Sequence, residues 1–186
     1  MSPNPSLQWT THGRSPVVWP LNSYSVAMKP LALTVASLRE LPHLALLLAR
    51  WYQDDSPDYF RGRSEADIAA EFFAVPARSE LPLVLVALSD GSPCGTIALR
   101  QTSVTIRPHL SPWLAGLYVP PSLRGRGIGR FLLDAGEAAA CRMGISVIYT
   151  GTSTANTMLV AREWLPLEEV EYHGHKLTLY RKLLAV

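Results

Sequence analysis

The chain has 186 residues, of which 48% are hydrophobic, and its 17 Lys and Arg residues nearly balance 15 Asp and Glu residues. This length and apolar fraction suit one compact domain with a continuous core. The small net charge argues against a dedicated nucleic-acid-binding protein, which carries a strong excess of basic residues.

The cysteine content and the apolar runs narrow the class of protein further. Cys94 and Cys141 form no disulfide framework and have no close Cys/His pairing of the kind that zinc requires, so we expect no metal. Apolar runs such as 44–48 are too short to span a bilayer, and no early basic segment followed by an apolar run indicates secretion. We therefore expect a soluble, cytoplasmic protein with neither a membrane nor a nucleic acid as partner.

Residues 1–30 are rich in Ser, Pro, Thr and Asn and show no helical or strand period. This composition predicts a disordered extension that precedes one folded domain over residues 31–186. Met28 stands just before the first strand-like run, so one hypothesis is that translation starts there rather than at Met1.

From residue 31 onward the pattern predicts regular structure, beginning with a strand at 31–38. Apolar residues at three- and four-residue spacing then predict a helix: Leu41, Leu44, Leu48 and Trp51. Ser64 is a predicted N-cap, with Asp67 three residues later, for a second helix that ends by Pro76.

The second half of the chain alternates predicted strands and helices around a glycine-rich segment. In order, these elements are a hairpin of strands 83–88 and 95–99 with its turn at 89–93, strand 113–119, helix 128–143 closed by Gly144, strand 146–150, helix 156–164, and a hairpin of strands 170–172 and 176–184. The order indicates an α/β fold.

The glycine-rich segment 122–130 reads SLRGRGIGR and lies between a predicted strand and the longest predicted helix. Glycines at alternate positions leave no Cβ between the backbone N–H groups and a ligand. These donors and the positive end of the helix dipole together suit phosphate oxygens. Arg124, Arg126 and Arg130 add positive charge to the same segment.

Spacing separates three classes of phosphate-binding loop. A Walker loop requires Lys and then Ser or Thr after its last glycine, where this chain has Arg130 and Phe131. A dinucleotide fingerprint that starts at Gly125 requires glycine or alanine at position 130, so that interpretation is weakened. The third pattern begins with Arg or Gln, has Gly three positions later, and has Gly or Ala two positions after that. Arg124, Gly127 and Gly129 satisfy it.

With this third pattern the chain resembles the GNAT N-acetyltransferases. The resemblance covers roughly residues 31–184 and includes further positions: Leu117, Tyr118, Val119 and Pro121 before the loop, Gly144 after the helix, Asn156, and the hairpin 172–182. It implies a GNAT fold, in which helices flank a mixed, mostly antiparallel central sheet. It also implies an enzyme that transfers an acetyl group from acetyl-CoA to a primary amine.

The resemblance implies which residues bind the cofactor. The loop would hold the pyrophosphate of coenzyme A through Arg124, Gly125, Arg126, Gly127, Ile128, Gly129 and Arg130. The strand before the loop would diverge from its neighbour, so that the backbone of Leu117, Tyr118 and Val119 pairs with the pantetheine arm, and an N–H near Val119 would face the thioester oxygen. Asn156 would bond the pantetheine amide, with an N-cap role as the alternative.

The resemblance also implies direct attack by the amine, so neither cysteine is needed as a nucleophile. Many relatives carry a carboxylate in the strand before the loop, but 113–119 has none, and the position seven residues after Asn156 is Glu163 rather than the usual tyrosine. The general base and acid are therefore unassigned, and Tyr118 and Tyr172 are weak candidates for a catalytic role.

Several alternatives stay open from the sequence. The acceptor could be an amine on a small molecule, a peptide or a protein, and the acidic residues Asp54, Asp55 and Asp58 could attract it or could simply be solvated. A homodimer is also open. A non-catalytic module that senses acyl-CoA is the alternative function, and a plain glycine-rich turn with solvated arginines is the alternative for the loop.

Overall fold

The computed structural model describes residues 32–74 and 81–185. These residues form, in chain order, β1 (Leu33–Ser37), α1 (Ala45–Asp55), α2 (Glu65–Phe72), β2 (Leu83–Ser89), β3 (Ser92–Arg100), β4 (Trp113–Tyr118), α3 (Ile128–Arg142), β5 (Val147–Thr152), α4 (Asn156–Val160), β6 (Leu165–Tyr172) and β7 (His175–Leu183). The predicted disordered extension at 1–30 and the hypothesis of a start at Met28 lie outside the described residues.

The seven strands form one sheet in the order β1-β2-β3-β4-β5-β7-β6. All neighbouring strands are antiparallel except β4 and β5, which are parallel. The prediction of a mixed, mostly antiparallel sheet with flanking helices is therefore confirmed.

The helices cover opposite faces of the sheet because side chains alternate along each strand. On β2, Val84 and Val86 belong to the apolar cluster that α1 and α2 complete. Leu85 and Ala87 belong to the cluster that contains the buried side of α3. The sheet thus separates an α1/α2 face from an α3 face, and β4 lies between them.

Two local signals in the sequence specify helix ends as predicted. Ser64 and Asp67 form a reciprocal capping box at the start of α2, in which the Ser64 hydroxyl accepts from the Asp67 N–H and the Asp67 carboxylate accepts from the Ser64 N–H. These bonds from Ser64 hold the pKa of Asp67 below its usual value. Gly144 follows α3 with a φ of 71°, in the left-handed region that closes many helices.

The largest differences from the predicted boundaries lie at three places. The turn between β2 and β3 is only Asp90 and Gly91, both with positive φ (48° and 79°), the conformation that a two-residue hairpin turn requires. Helix α4 ends at Val160 rather than at residue 164. Strand β6 begins at Leu165, five residues before the predicted start, because pairing with β7 makes a strand of an edge segment that contains Pro166.

We predict that Gly136→Ala destabilises the fold, because a Cβ at this position of α3 would lie 2.5 Å from Leu114 Cδ1 on β4. Overpacking of this kind costs about 1–3 kcal/mol, which exceeds the gain of about 0.5–1 kcal/mol from replacing a helical glycine. Urea unfolding measures the change. In a Leu114→Ala background the same substitution should cost much less, and equal costs in both backgrounds would contradict the assigned contact.

Candidate functional site

Strands β4 and β5 separate almost as soon as they meet. Their only paired residues in the described structure are Trp113 and Tyr149, at the beginning of β4. Beyond this pair, the side of β4 that would face β5 has no partner strand, so its backbone polar groups are available to a ligand that lies alongside it. The divergence agrees with the geometry expected from the family resemblance.

Strand β4 contains a bulge where it lines this gap. Thr96 of β3 pairs with Tyr118 and Ala98 pairs with Ala115, so Gly116 and Leu117 together oppose one residue. Gly116 has a φ of 63°, and a Cβ there would lie 1.9 Å from the Tyr52 hydroxyl oxygen. Only glycine fits this position, and a glycine inside a strand pattern is the sequence signal that predicts such a bulge.

Tyr52, on α1, holds the bulge from the α1/α2 face. Its hydroxyl donates a 2.8 Å hydrogen bond to the Gly116 carbonyl oxygen. The residue keeps some exposed surface, but the protein encloses its hydroxyl, and this burial raises the pKa of Tyr52 above its usual value. Arg100 opposes the shift and Asp55 reinforces it. Sequence reasoning missed Tyr52, because nothing in the pattern of α1 separates it from a core aromatic residue.

The N-terminus of α3 opens onto the same gap. Gly127 is its N-cap residue, with a φ of 83°, and no side chain in the described part of the chain caps the helix. The N–H groups of the first turn therefore lack the side-chain partner that most helices have. A Cβ at Gly125 or Gly127 would meet no atom within 4 Å, so these glycines are required by backbone conformation and not by crowding.

The three arginines of the loop do not converge on the helix end. Arg124 donates from Nε to the Val119 carbonyl oxygen at 2.8 Å and pairs with Asp55 at 3.1 Å, so it reaches towards the end of α1. Arg126 bonds the Ser122 carbonyl oxygen at 3.4 Å. Arg130 forms no ion pair within the described ranges, which leaves its charge available to a ligand.

These features line one cleft of about 1470 Å³. Its walls come from the end of α1, the bulged part of β4, the loop before α3, the segment before α4, and the turn between β6 and β7. This volume exceeds that of an ordinary small-molecule pocket, and the cleft reaches from the N-terminus of α3 to an aromatic side that includes Tyr59, Phe72 and Tyr172. A long ligand and a second, smaller one could occupy it together.

Most of the predicted cofactor-binding residues lie in the walls of this cleft: Leu117, Tyr118, Val119, Arg124, Gly125, Gly127, Ile128, Gly129 and Arg130. Arg126 and Asn156 are outside it. The Asn156 side-chain oxygen accepts from the Tyr180 hydroxyl at 3.0 Å. The alternative N-cap role for Asn156 is wrong, because Ala155 is the N-cap residue of α4. The Ala155 N–H donates to Thr152 Oγ1.

The two candidate catalytic tyrosines differ in how their hydroxyls are engaged. Tyr118 lines the cleft, its hydroxyl has no hydrogen-bond partner among the described residues, and burial raises its pKa, a shift that Asp55 reinforces and Arg124 opposes. The Tyr172 hydroxyl instead contacts the loop at 103–105, with the Ser103 carbonyl oxygen at 3.2 Å and Thr105 Oγ1 at 3.1 Å. Of the two tyrosines, Tyr118 therefore has the hydroxyl that no other described residue engages.

The surroundings of the two cysteines, Trp164 and Glu163 indicate no catalytic role. The buried Cys94 thiol donates to the Ala87 carbonyl oxygen at 3.3 Å, and burial raises its pKa, which disfavours the thiolate form of a nucleophile. Cys141 is half-buried on α3. Trp164 donates from its indole N–H to Glu137 at 2.9 Å, and Glu163 is exposed.

The described residues contain no group of His, Cys, Asp or Glu side chains arranged to hold a metal ion. Among the same residues, none of the helices has the length and apolar character needed to cross a membrane.

We predict that Tyr52 makes the protein less stable at alkaline pH. The folded chain keeps the Tyr52 proton while the unfolded chain releases it above about pH 10, so the free energy of unfolding falls as the pH rises. Tyr52→Phe should reduce this fall by up to about 1.4 kcal/mol per pH unit. Urea unfolding at several pH values between 9 and 11 measures both slopes, and identical slopes would show that the Tyr52 hydroxyl is not enclosed.

The comparisons with known proteins agree with this geometry. The family model described as the acetyltransferase (GNAT) family matches residues 48–161, which is more than half of the chain. No curated protein matches the chain significantly.

Solved structures with the same fold include several acetyltransferases. The structure of yncA from Salmonella typhimurium with its cofactor acetyl-CoA has a TM-score of 0.64 at 19% identity and covers 83% of this chain and 95% of that one. An aminoglycoside 6'-N-acetyltransferase complexed with coenzyme A has a TM-score of 0.67 at 14% identity, with 82% and 98% covered. Ard1 from Thermoplasma volcanium has a TM-score of 0.62 at 14% identity, with 84% and 100% covered. Together with the match over residues 48–161, the fold shows that the chain belongs to the acetyltransferase (GNAT) family.

Proposed function

We propose that this protein transfers an acetyl group from acetyl-CoA to a primary amine by direct attack of the amine. The observation that carries the proposal is the continuous cleft between the separated strands β4 and β5, which ends at the uncapped N-terminus of α3. Similar folds hold acetyl-CoA in yncA and coenzyme A in the aminoglycoside acetyltransferase, which supports the same type of ligand here.

The residues of the cleft fit the chemical groups of acetyl-CoA. The N–H groups at the start of α3 and the guanidinium of Arg130, which has no ion pair among the described residues, would hold the pyrophosphate, because both favour negative charge. Gly125 and Gly127 leave open space in which phosphate oxygens can approach the backbone. The edge of β4 that β5 leaves without a partner, between Leu117 and Val119, would bond the amides of the pantetheine arm as an added strand does. The Gly116 and Val119 carbonyl oxygens already accept from Tyr52 and Arg124.

Bound acetyl-CoA supplies a thioester, whose carbonyl carbon bonds to the amine nitrogen as the C–S bond breaks and coenzyme A leaves as the thiol. Tyr118 is suited to give a proton to the departing sulfur, because its hydroxyl lines the cleft and has no hydrogen-bond partner among the described residues. Burial raises its pKa, so this hydroxyl is a weaker acid than that of a free tyrosine. A thiolate is itself a good leaving group, since a thiol has a pKa of about 8.5, so this proton accelerates the reaction without being essential.

The amine must lose a proton before or during attack. Two carboxylates line the cleft, Asp55 and Glu71, and each is paired with an arginine: Asp55 with Arg124, and Glu71 with Arg63. Among the described residues, the cleft wall therefore has no unpaired carboxylate that could act as a general base. His173 and His175 also line the cleft, at the turn between β6 and β7, so an imidazole there could take the proton directly or through solvent.

Two measurements test the proposed function in sequence. Calorimetry should detect acetyl-CoA binding to the full chain, and release of free thiol should then appear when amines from a panel are added: aminoglycosides, polyamines, amino acids and peptides with a free N-terminus. Failure to bind acetyl-CoA would overturn the proposal. Binding without thiol release for any amine would support instead a module that senses acyl-CoA, which the missing carboxylate on β4 and the missing tyrosine after α4 would then explain.

We predict that Gly127→Glu raises the Kd for acetyl-CoA by at least about 100-fold, because a carboxylate at the N-cap of α3 competes with the pyrophosphate and repels it. Gly127→Gln is the matched control. It imposes the same bulk and the same strain at a positive φ without the charge, so it should weaken binding much less. Calorimetry measures both constants, with circular dichroism as the check of folding. Equal losses in the two variants would contradict an anion site at this position.

A further inference from the structure

We infer that Tyr52 is a positioning residue for acetyl transfer: its hydroxyl orients the Gly116–Leu117 peptide so that the Leu117 N–H faces the carbonyl oxygen of the thioester. The inference rests on the proposed function and deepens it. It assigns a role to a residue on α1, outside the strand and loop that would hold the cofactor.

The orientation follows from the planarity of the peptide unit. The bond between Gly116 and Leu117 is not among the cis peptides of the described chain, so its C=O and N–H point in opposite directions. The hydrogen bond from Tyr52 directs the Gly116 carbonyl oxygen to the α1/α2 face. The Leu117 N–H is therefore directed away from that face, towards the side on which α3 lies.

The side chains around this peptide lie on opposite faces of the sheet. Its side chain packs against the apolar cluster that contains α3, whereas Tyr52 packs against the cluster of α1 and α2. Leu117 also approaches α3 at its N-terminal end, since its Cδ2 lies 4.0 Å from where a Cβ on Gly129 would be. The peptide thus stands between the helix end, where the pyrophosphate would bind, and the aromatic side of the cleft, where an acceptor would enter.

The bulge needs this restraint because glycine adopts positive and negative φ with similar ease. Pairing with β3 does not restrain Gly116, which lies in the register shift, and no β5 residue pairs with it. The Tyr52 hydroxyl supplies the missing restraint through a bond of 2.8 Å, and its oxygen occupies the place that any Cβ at position 116 would take. One side chain therefore both bonds the peptide and excludes every residue except glycine.

An N–H held in this way can stabilise the negative charge that develops on the thioester oxygen during attack. Such a donor is effective when its direction is set in advance, because no reorganisation is then needed as the charge appears. Removing a donor of this kind in other enzymes costs about 100- to 1000-fold in kcat. Loss of the Tyr52 hydroxyl leaves the N–H in place but frees its direction, so we expect a smaller loss, of about 10-fold or more.

The kinetic test compares Tyr52→Phe with Thr96→Val. Tyr52→Phe keeps the ring that packs against Phe72 and Phe73 and removes only the hydroxyl. Thr96→Val removes a similar bond, from a buried hydroxyl to a strand carbonyl oxygen, since Thr96 Oγ1 donates to Leu85 at 3.0 Å. With an amine found in the panel, Tyr52→Phe should lower kcat about 10-fold or more with little change in the KM for acetyl-CoA, and Thr96→Val should not.

A second measurement needs no acceptor. The protein is labelled with ¹⁵N-leucine, and the Leu117 amide resonance is assigned by its loss in Leu117→Met. This resonance should shift more with acetyl-CoA than with S-ethyl-CoA, a thioether that lacks the carbonyl oxygen. In Tyr52→Phe this difference should disappear while both ligands still bind. Wild-type protein that binds neither ligand would defeat the proposed function. Wild-type and Tyr52→Phe proteins that show the same difference would defeat only the role of Tyr52.

A substitution at Gly116 covers the case in which Tyr52→Phe does not fold. Gly116→Ala displaces the Tyr52 hydroxyl, because the added Cβ would lie 1.9 Å from its oxygen. This variant should also remove the acetyl-CoA-specific shift of the Leu117 amide resonance. If both variants fold, their effects on kcat should be less than additive, since both break one bond. Fully additive effects would overturn the inference.

Discussion

The separation of β4 from β5 is the constraint on which the rest of the structure depends. Among the described residues, these strands are paired only at Trp113 and Tyr149, so the sheet opens in its middle. On either side of the opening, β2 with β3 and β5 with β7 pair along their lengths. An open sheet leaves backbone donors and acceptors without partners, and such groups must be satisfied by water or by a ligand. A ligand that lies in the gap completes the sheet, which makes the opening a binding site.

The protein presents backbone N–H groups to this opening in two ways. At the N-terminus of α3, left-handed Gly127 begins the helix without a side-chain cap, so the first-turn donors and the helix dipole act together on negative charge. At the bulge of β4, left-handed Gly116 rotates a peptide out of the sheet, and Tyr52 holds it there. Arg124 connects the two regions, because it bonds Val119 at the end of β4 and Asp55 at the end of α1.

The predicted elements were most accurate where a local signal specifies them. The N-cap at Ser64, the helix from Ile128 and its end at Gly144 follow from a few neighbouring residues, and the structure has all three as predicted. Strand β6 is different, since its first residues, from Leu165, become a strand only because β7 pairs with them. Arg124 bonds Val119 and Asp55, and the loop sequence carries no information about the contact with Asp55. The role of Arg124 in binding the phosphates stays a prediction.

By itself, the sequence determined the fold class, the family, and the loop at 124–130 with the helix that follows it. All of these depend on glycines, arginines and apolar spacing within short stretches of chain, where chemistry and conformation are local. Only the tertiary structure decided that Gly116 lies in a bulge held by Tyr52, that Arg124 pairs with Asp55, and that the Tyr172 hydroxyl contacts Ser103. Each of these joins residues far apart in the chain, and such contacts exist only after helices and strands have packed together.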